Sequence, residues 1–267
     1  MKRVVFNQKG GVGKTSITCN LAAIDARAGY RTLVIDLDVQ GNTTHYLVGE
    51  IDAEAFPAEA QGVAGLFRQT VGARRGRKNP DVFVWETPYP ELFLMPSSPV
   101  LAQLEKELES RYKIYKLRDA LAKLEDEYDR IYIDTPPNFN FYSKSALIAA
   151  DSVLIPFDCD SFARQSLYAL MDNIAELQED HNADLLVEGI VINQFSTQAK
   201  LPGELVAELE EEGYPVLKTF LNTSVKMKES HYSHRPLIDL APSHKLTTQY
   251  VALQQELERG LKKRRVR

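Results

Sequence analysis

The sequence predicts an α/β fold, a doubly wound and mostly parallel sheet with helices on both faces, and three observations lead there. Short apolar runs alternate with helical stretches along the 267 residues, the pattern left by strands joined through crossover helices. A glycine-rich loop, Asn7-Gln8-Lys9-Gly10-Gly11-Val12-Gly13-Lys14-Thr15-Ser16, stands directly between the first apolar run and the first helical one. Aspartates at 36, 38 and 134 fall at the carboxyl ends of predicted strands, where open α/β sheets bind ligands.

Taken in order, Val4-Val5-Phe6 mark a strand at 3–7, and the helical pattern that follows the loop runs over 14–28. Further apolar runs, continuous as strands covered on both faces must be, predict strands at 32–36, 92–95, 130–134, 152–157, 186–192 and 216–220. Longer amphipathic stretches predict helices at 100–108, 112–126, 141–150, 162–180, 201–212 and 244–262. Residues 50–90 fit this alternation least well. They hold a short helix at 62–71, a basic run Arg74-Arg75-Gly76-Arg77-Lys78, and the one tryptophan, Trp85. They read as a variable insertion, either a solvated surface loop or a contact site for a partner or DNA, within one domain spanning 1–267.

The loop is built for an anion. Several backbone N–H groups must turn toward one phosphate, and Gly10, Gly11 and Gly13 can take backbone angles that side chains obstruct. The helix that opens near Lys14 adds its unpaired N–H groups and positive dipole end. Lys14 is placed to bridge the β- and γ-phosphates of ATP or GTP. The hydroxyl of Thr15, or as the weaker alternative Ser16, is placed to hold Mg2+ against the same oxygens. The strict P-loop pattern departs at its first position, where Gln8 replaces glycine, and a second lysine, Lys9, follows at once. Two lysines in one such turn repel each other unless an anion lies between them.

Lys9-Gly10-Gly11-Val12-Gly13-Lys14-Thr15 resembles the deviant Walker A motif of the ParA/MinD ATPases, and most closely their ParA, Soj-like partition branch. The resemblance continues through Asp36-Leu37-Asp38-Val39-Gln40-Gly41-Asn42, similar to the family's switch I with valine for the usual proline. It continues again through Ile131-Tyr132-Ile133-Asp134-Thr135-Pro136-Pro137, similar to its Walker B strand and switch II. The resemblance implies an ATP- and Mg2+-dependent hydrolase that dimerises around its nucleotides. Lys9 then crosses to the partner protomer's phosphates and works as an arginine finger does. Asp38 positions the attacking water, Asp36 faces the metal's water shell, and Asp134 binds the metal through water. Asn193, ending the apolar strand, is either an adenine contact or a turn former.

Residues 219–243 resemble the family's C-terminal segment more loosely. Asn222-Thr223-Ser224 stands where the family writes P-R-N, and Lys226 aligns with the pattern's second arginine. His231, His234 and His244 carry no supporting ligand pattern and read as surface or structural residues. Cys19 and Cys159, few and widely spaced, read as buried thiols, and an iron–sulfur site lacks its ligands.

Charge is concentrated rather than spread. The formal net charge is −5, yet Arg259, Lys262, Lys263, Arg264, Arg265 and Arg267 form an acid-free end over 259–267, which leaves −11 for the rest. Together with Lys226, this end is expected to hold DNA without sequence specificity, as it does in the family, with salt-sensitive phosphate contacts. A MinD-like membrane helix is the weaker reading, because Val251, Leu253, Leu257, Leu261 and Val266 form a broken stripe with no aromatic anchor. The chain has no apolar stretch near 18 residues and enters a strand at once, so a cytoplasmic, nucleoid-associated protein is expected. Its expected partners are a second copy of itself, nonspecific DNA, and a ParB-like or other cargo adaptor that stimulates hydrolysis. An ATP-dependent metabolic ligase on the same fold is the alternative class. A tyrosine kinase would carry a tyrosine-rich tail in place of this basic one.

Overall fold

In the computed structural model, the structure is described for residues 1–50, 61–71, 78–159, 163–195 and 201–265, excluding the side chains of 163, 201, 202 and 263–265. The strands are β1 (Lys2–Val5), β2 (Thr32–Asp36), β3 (Trp85–Glu86), β4 (Leu92–Met95), β5 (Arg130–Asp134), β6 (Ser152–Asp158) and β7 (Leu186–Asn193). They form one sheet in the order β3-β4-β2-β5-β1-β6-β7. Every neighbouring pair is parallel except β3, which lies antiparallel on β4 at one edge. The predicted doubly wound α/β sheet is therefore present.

The helices are α1 (Lys14–Arg27), α2 (Asn42–Val48), α3 (Gly62–Val71), α4 (Leu101–Ser110), α5 (Lys116–Leu121) and α6 (Phe141–Ala149). They continue with α7 (Ala163–Asp180), α8 (Leu201–Glu211), α9 (Val225–Tyr232), α10 (Leu237–Leu240) and α11 (Lys245–Arg265). Strand side chains alternate between faces, as a pleated backbone requires. Val4, Leu33, Ile35, Ile131, Ile133, Val153 and Ile155 pack with α3 to α8, whereas Val5, Val34, Tyr132, Leu154 and Val191 pack with α1, α2 and α11. With both faces covered, the ligand-binding surface is the carboxyl edge, where β1 sits between β5 and β6 and the chain turns into α1.

Four expectations need correction. No strand forms at 216–220: Val216 makes only an isolated bridge to Ile190. The amides of Lys218 and Thr219, which a ladder would need, instead donate to the Glu256 carboxylate of α11 at 2.8 and 3.0 Å. The helix expected at 112–126 is confined to α5, with hydrogen-bonded turns completing the segment as far as Tyr128. The short edge strand β3 and the helices α2, α9 and α10 were not anticipated. The last helix runs to Arg265, so most of the basic end continues a helix, where cations complement the carboxyl end of its dipole. The short helix at 62–71 is present as α3, while Arg74, Arg75, Gly76 and Arg77 of the basic run lie outside the described residues.

Candidate nucleotide site

The loop after β1 takes the shape its glycines allow. Gly11 and Gly13 have φ of 77° and 91°, a region that L side chains resist. Gly13 is required twice over, because a Cβ there would come within 2.2 Å of Asn193 Nδ2. That amide donates to the Val12 carbonyl at 2.8 Å, and Gln194 Nε2 donates to the Gly11 carbonyl at 2.7 Å. The end of β7 thus holds the loop from one side, a positioning task for Asn193 that the sequence did not reveal.

Lys14 is buried and its ammonium donates to the Lys9 carbonyl at 3.0 Å. Burial lowers its pKa, although Asp134 and Asp38 pull the other way. A desolvated cation hydrogen-bonded to a loop carbonyl favours an incoming anion. Thr15 Oγ1 and Thr43 Oγ1 each donate to Asp134 Oδ2 at 2.7 Å. Asp36 and Asp134 stand opposite each other in the β2–β5 register, both fully buried. Burial raises both carboxyl pKa values. The Asp134 charge adds to this at Asp36, while the Thr15 and Thr43 hydroxyls and Lys14 oppose it at Asp134. A hydroxyl beside a carboxylate under this strain is an all-oxygen donor set, which suits a hard Mg2+ ion. Among the described residues no cluster of three or more His, Cys, Asp or Glu is arranged for a metal.

Asp36 differs from the expectation that it faces the metal's water shell. Its Oδ2 accepts from Thr44 N and Oγ1 at 2.8 and 2.7 Å, and its Oδ1 accepts from Asp38 N at 3.1 Å. Those bonds anchor the switch loop and the start of α2, and Asp36 does not line the cavity. Asp38 does line it, with Oδ1 accepting from Gln40 N at 3.0 Å. Thr135 Oγ1 donates to the Val5 carbonyl at 2.7 Å, tying the second switch to β1.

The two loop lysines diverge. Lys14 lines the cavity of about 500 Å³ over the loop, whereas Lys9 does not. The Lys9 ammonium lies 3.8 Å from Asp158 Oδ2 at the end of β6, about one-third exposed. Gly10, Gly11, Gly13, Thr15 and Ser16 also border the cavity, while the Val12 side chain is buried.

A second cavity of about 240 Å³ adjoins the first and is bordered by Asn193, Asn222, Thr223, Ser224, Met227 and Tyr250. His231 is an exposed residue, as expected, yet it borders both cavities, with its Nε2 3.0 Å from Ser16 Oγ. Lys226, on α9, forms an ion pair with Glu229. Lys262 is exposed near the end of α11, and the side chains of Lys263, Arg264 and Arg265 lie outside the described residues. Cys19 is buried and Cys159 half-buried, both as free thiols.

A glycine-lined phosphate cradle between strand and helix, backed by a lysine and paired carboxylates at the carboxyl edge of the sheet, defines a P-loop ATPase. The family model described as an AAA domain matches residues 2–187. The chromosome partitioning protein ParA of Myxococcus xanthus strain DK1622 is 33% identical over 257 residues, covering 95% of this chain and 86% of that protein. The sporulation initiation inhibitor protein Soj of Bacillus subtilis strain 168 is 30% identical over 258 residues, covering 95% and 96%. Among solved structures, the Mycobacterium smegmatis cobyrinic acid a,c-diamide synthase with bound ADP and magnesium superposes with a TM-score of 0.81. It is 25% identical and covers 97% of this chain and 94% of that one. The McdA–ATP complex from Cyanothece gives 0.82 at 22% identity over 97% and 96%, a likeness of fold. The chain belongs to the ParA/Soj family of partition and positioning ATPases.

Proposed function

We propose that this ATPase pairs two copies around bound ATP, holds nonspecific DNA in that state, and releases it when a cargo adaptor of the ParB type stimulates hydrolysis. The observation that carries this reading is the divergence of the two loop lysines. Lys14 lines its own cradle, while Lys9 does not and lies 3.8 Å from the partly exposed Asp158 carboxylate. A partly exposed pair of this kind is worth at most about 1 kcal/mol, so the pair with Asp158 does not by itself keep Lys9 from a neighbouring protomer's triphosphate.

Within the site, Lys14 and the loop amides grip the β- and γ-phosphates, and Asp38 orients the attacking water. Thr15 and Asp134 would hold Mg2+, which neutralises charge on the phosphate oxygens when bound. Asp36 acts through the switch loop that it fastens, and Asn193 steadies the cradle while offering its amide edge to the adenine. Lys9, arriving from the partner, stabilises the charge that develops as the γ-phosphoryl group leaves, which couples turnover to assembly. Lys226, Lys262, Lys263, Arg264 and Arg265 supply the phosphate contacts to DNA.

The membrane alternative is disfavoured by the use of α11. Its residues Leu246, Tyr250, Leu253 and Leu257 are buried in the core against α1, which removes the apolar face a bilayer would require. Among the described residues, no helix is long and apolar enough to cross a membrane. A cytoplasmic, nucleoid-bound protein fits this reading. The likeness to the diamide synthase keeps a ligase as the second reading, and turnover that depends on an added metabolite carboxylate would favour it.

The test is gel-shift binding to unrelated duplexes with and without Mg-ATP. Asp38→Ala should bind DNA persistently with ATP, and binding should collapse as salt rises. DNA binding indifferent to nucleotide would overturn the proposal.

A further inference from the structure

The two cavities at the carboxyl edge are neighbours, and Gly11, Gly13, Ser16 and His231 border both. Successive residues of a helix point about 100° apart. The Thr15 hydroxyl therefore turns to Asp134, while the Ser16 hydroxyl turns away from the metal side and meets His231 Nε2 at 3.0 Å. A nucleotide with its distal phosphates on Lys14 and Thr15 and its base in the second cavity must pass through the junction between them. The portion that occupies this junction is the α-phosphate and the start of the ribose.

We propose that His231 is a nucleotide-positioning residue whose Nε2 donates to the α-phosphate, alongside the Ser16 hydroxyl. The proposal deepens the ATP-site reading and rests on it. His231 is held on this line from outside the phosphate loop. Its ring packs edge-on against Tyr46 at 4.6 Å between centroids, and Tyr46 hydrogen-bonds Ser230 and Asn20. Partial burial of the imidazole lowers its pKa, and the 3.0 Å contact of Nε2 with Ser16 Oγ sets the direction in which the ring nitrogen faces the junction.

The test is calorimetric binding of ADP, ADPαS and ADPβS to the full chain. The wild type should bind ADP, and one ADPαS diastereomer should bind more weakly because sulfur accepts hydrogen bonds poorly. His231→Ala should weaken ADP by about tenfold and erase the ADPαS penalty while leaving any ADPβS penalty unchanged. His231→Gln, which keeps an amide donor of similar reach, should recover most of the loss. Urea unfolding of the free variants separates this from lost packing against Tyr46. Unchanged ADP affinity in His231→Ala, or a loss shared equally by all three ligands with a lowered unfolding midpoint, would overturn the proposal. A wild type that binds none of the ligands would instead sink the ATP-site reading itself.

Discussion

Among the described residues, two buried charge clusters lie in this sheet, one near each end of its strands, and the one toward the amino ends is the more complete. Toward the amino ends, Arg3 is fully buried, with Nε and Nη2 donating to Glu188 at 2.6 and 2.7 Å and Nη1 to the Tyr132 hydroxyl at 2.7 Å. Tyr132 in turn donates to Asp25 at 2.7 Å, where Gln254 of α11 also donates, and Ser152 donates to Glu188 at 3.1 Å. Burial opposes the charged guanidinium, yet the Tyr132 and Glu188 oxygens hold Arg3 above its ordinary pKa. At the carboxyl edge the balance fails. Lys14 sits below its ordinary pKa, and Asp36 and Asp134 sit above theirs. A buried cluster whose charges satisfy one another is a structural tie between strands and helices. Burial raises the Asp25 carboxyl pKa as well, against Tyr132, Arg3 and Arg130, so the contrast lies in the cations: a cluster whose lysine is pushed toward neutrality together with both its paired carboxylates is a site awaiting an anion and a cation.

The largest effect that would break this contrast is on the complete side. Arg3→Ala should destabilise the chain by about 3 to 5 kcal/mol, because Glu188 is left buried and unpaired, as equilibrium urea unfolding would measure. Replacing both partners with apolar residues of similar volume should recover most of that loss. On the incomplete side the outcome reverses. Lys14→Ala should lower ATP turnover by about 10² to 10³ while leaving the unfolding midpoint of the free protein unchanged or raised, since a desolvated cation has been removed.

A pH series sharpens the comparison further. The Asp36 and Asp134 pKa values are raised on folding, so the free protein binds more protons folded than unfolded. Their contribution to stability is therefore lost as pH rises from the ordinary carboxylate range through the raised values. Mg2+ favours the ionised carboxylates, so its binding releases protons. The thermal shift given by Mg-ATP should grow between about pH 5 and about pH 8, with affinity gaining at most about tenfold per unit for each proton released. The smallest effect is expected at Asn193→Ala. Losing its bond to Val12 should cost about 1 kcal/mol, seen as a severalfold weaker ATP affinity.

The legible and illegible parts of the site divide along the same physical line. The cradle could be read because phosphate contact restricts residue types within one short stretch: Gly11 and Gly13 need positive φ, and Lys14 and Thr15 need fixed places on one helical turn. The wall facing it could not, because its contacts are tertiary. His231 meets Ser16 across 215 positions, and no local pattern announces it. The start of α2 is fixed by Asp36 accepting from Thr44, a bond that leaves no periodic apolar signal in Asn42–Val48. The apolar run at 216–220 looked like a strand, and only the Glu256 carboxylate from a distant helix explains why its amides are used elsewhere. The two-residue β3 is too short for any period to register.

The central claim is that each copy's Lys9 completes its partner's site, and sedimentation velocity with Mg-ATP tests it most directly. The account predicts that Asp38→Ala sediments as a dimer with Mg-ATP and as a monomer without nucleotide. It also predicts that Lys9→Ala binds ATP yet remains monomeric and hydrolyses poorly. Wild-type monomers saturated with Mg-ATP and turning over at their full rate would contradict it.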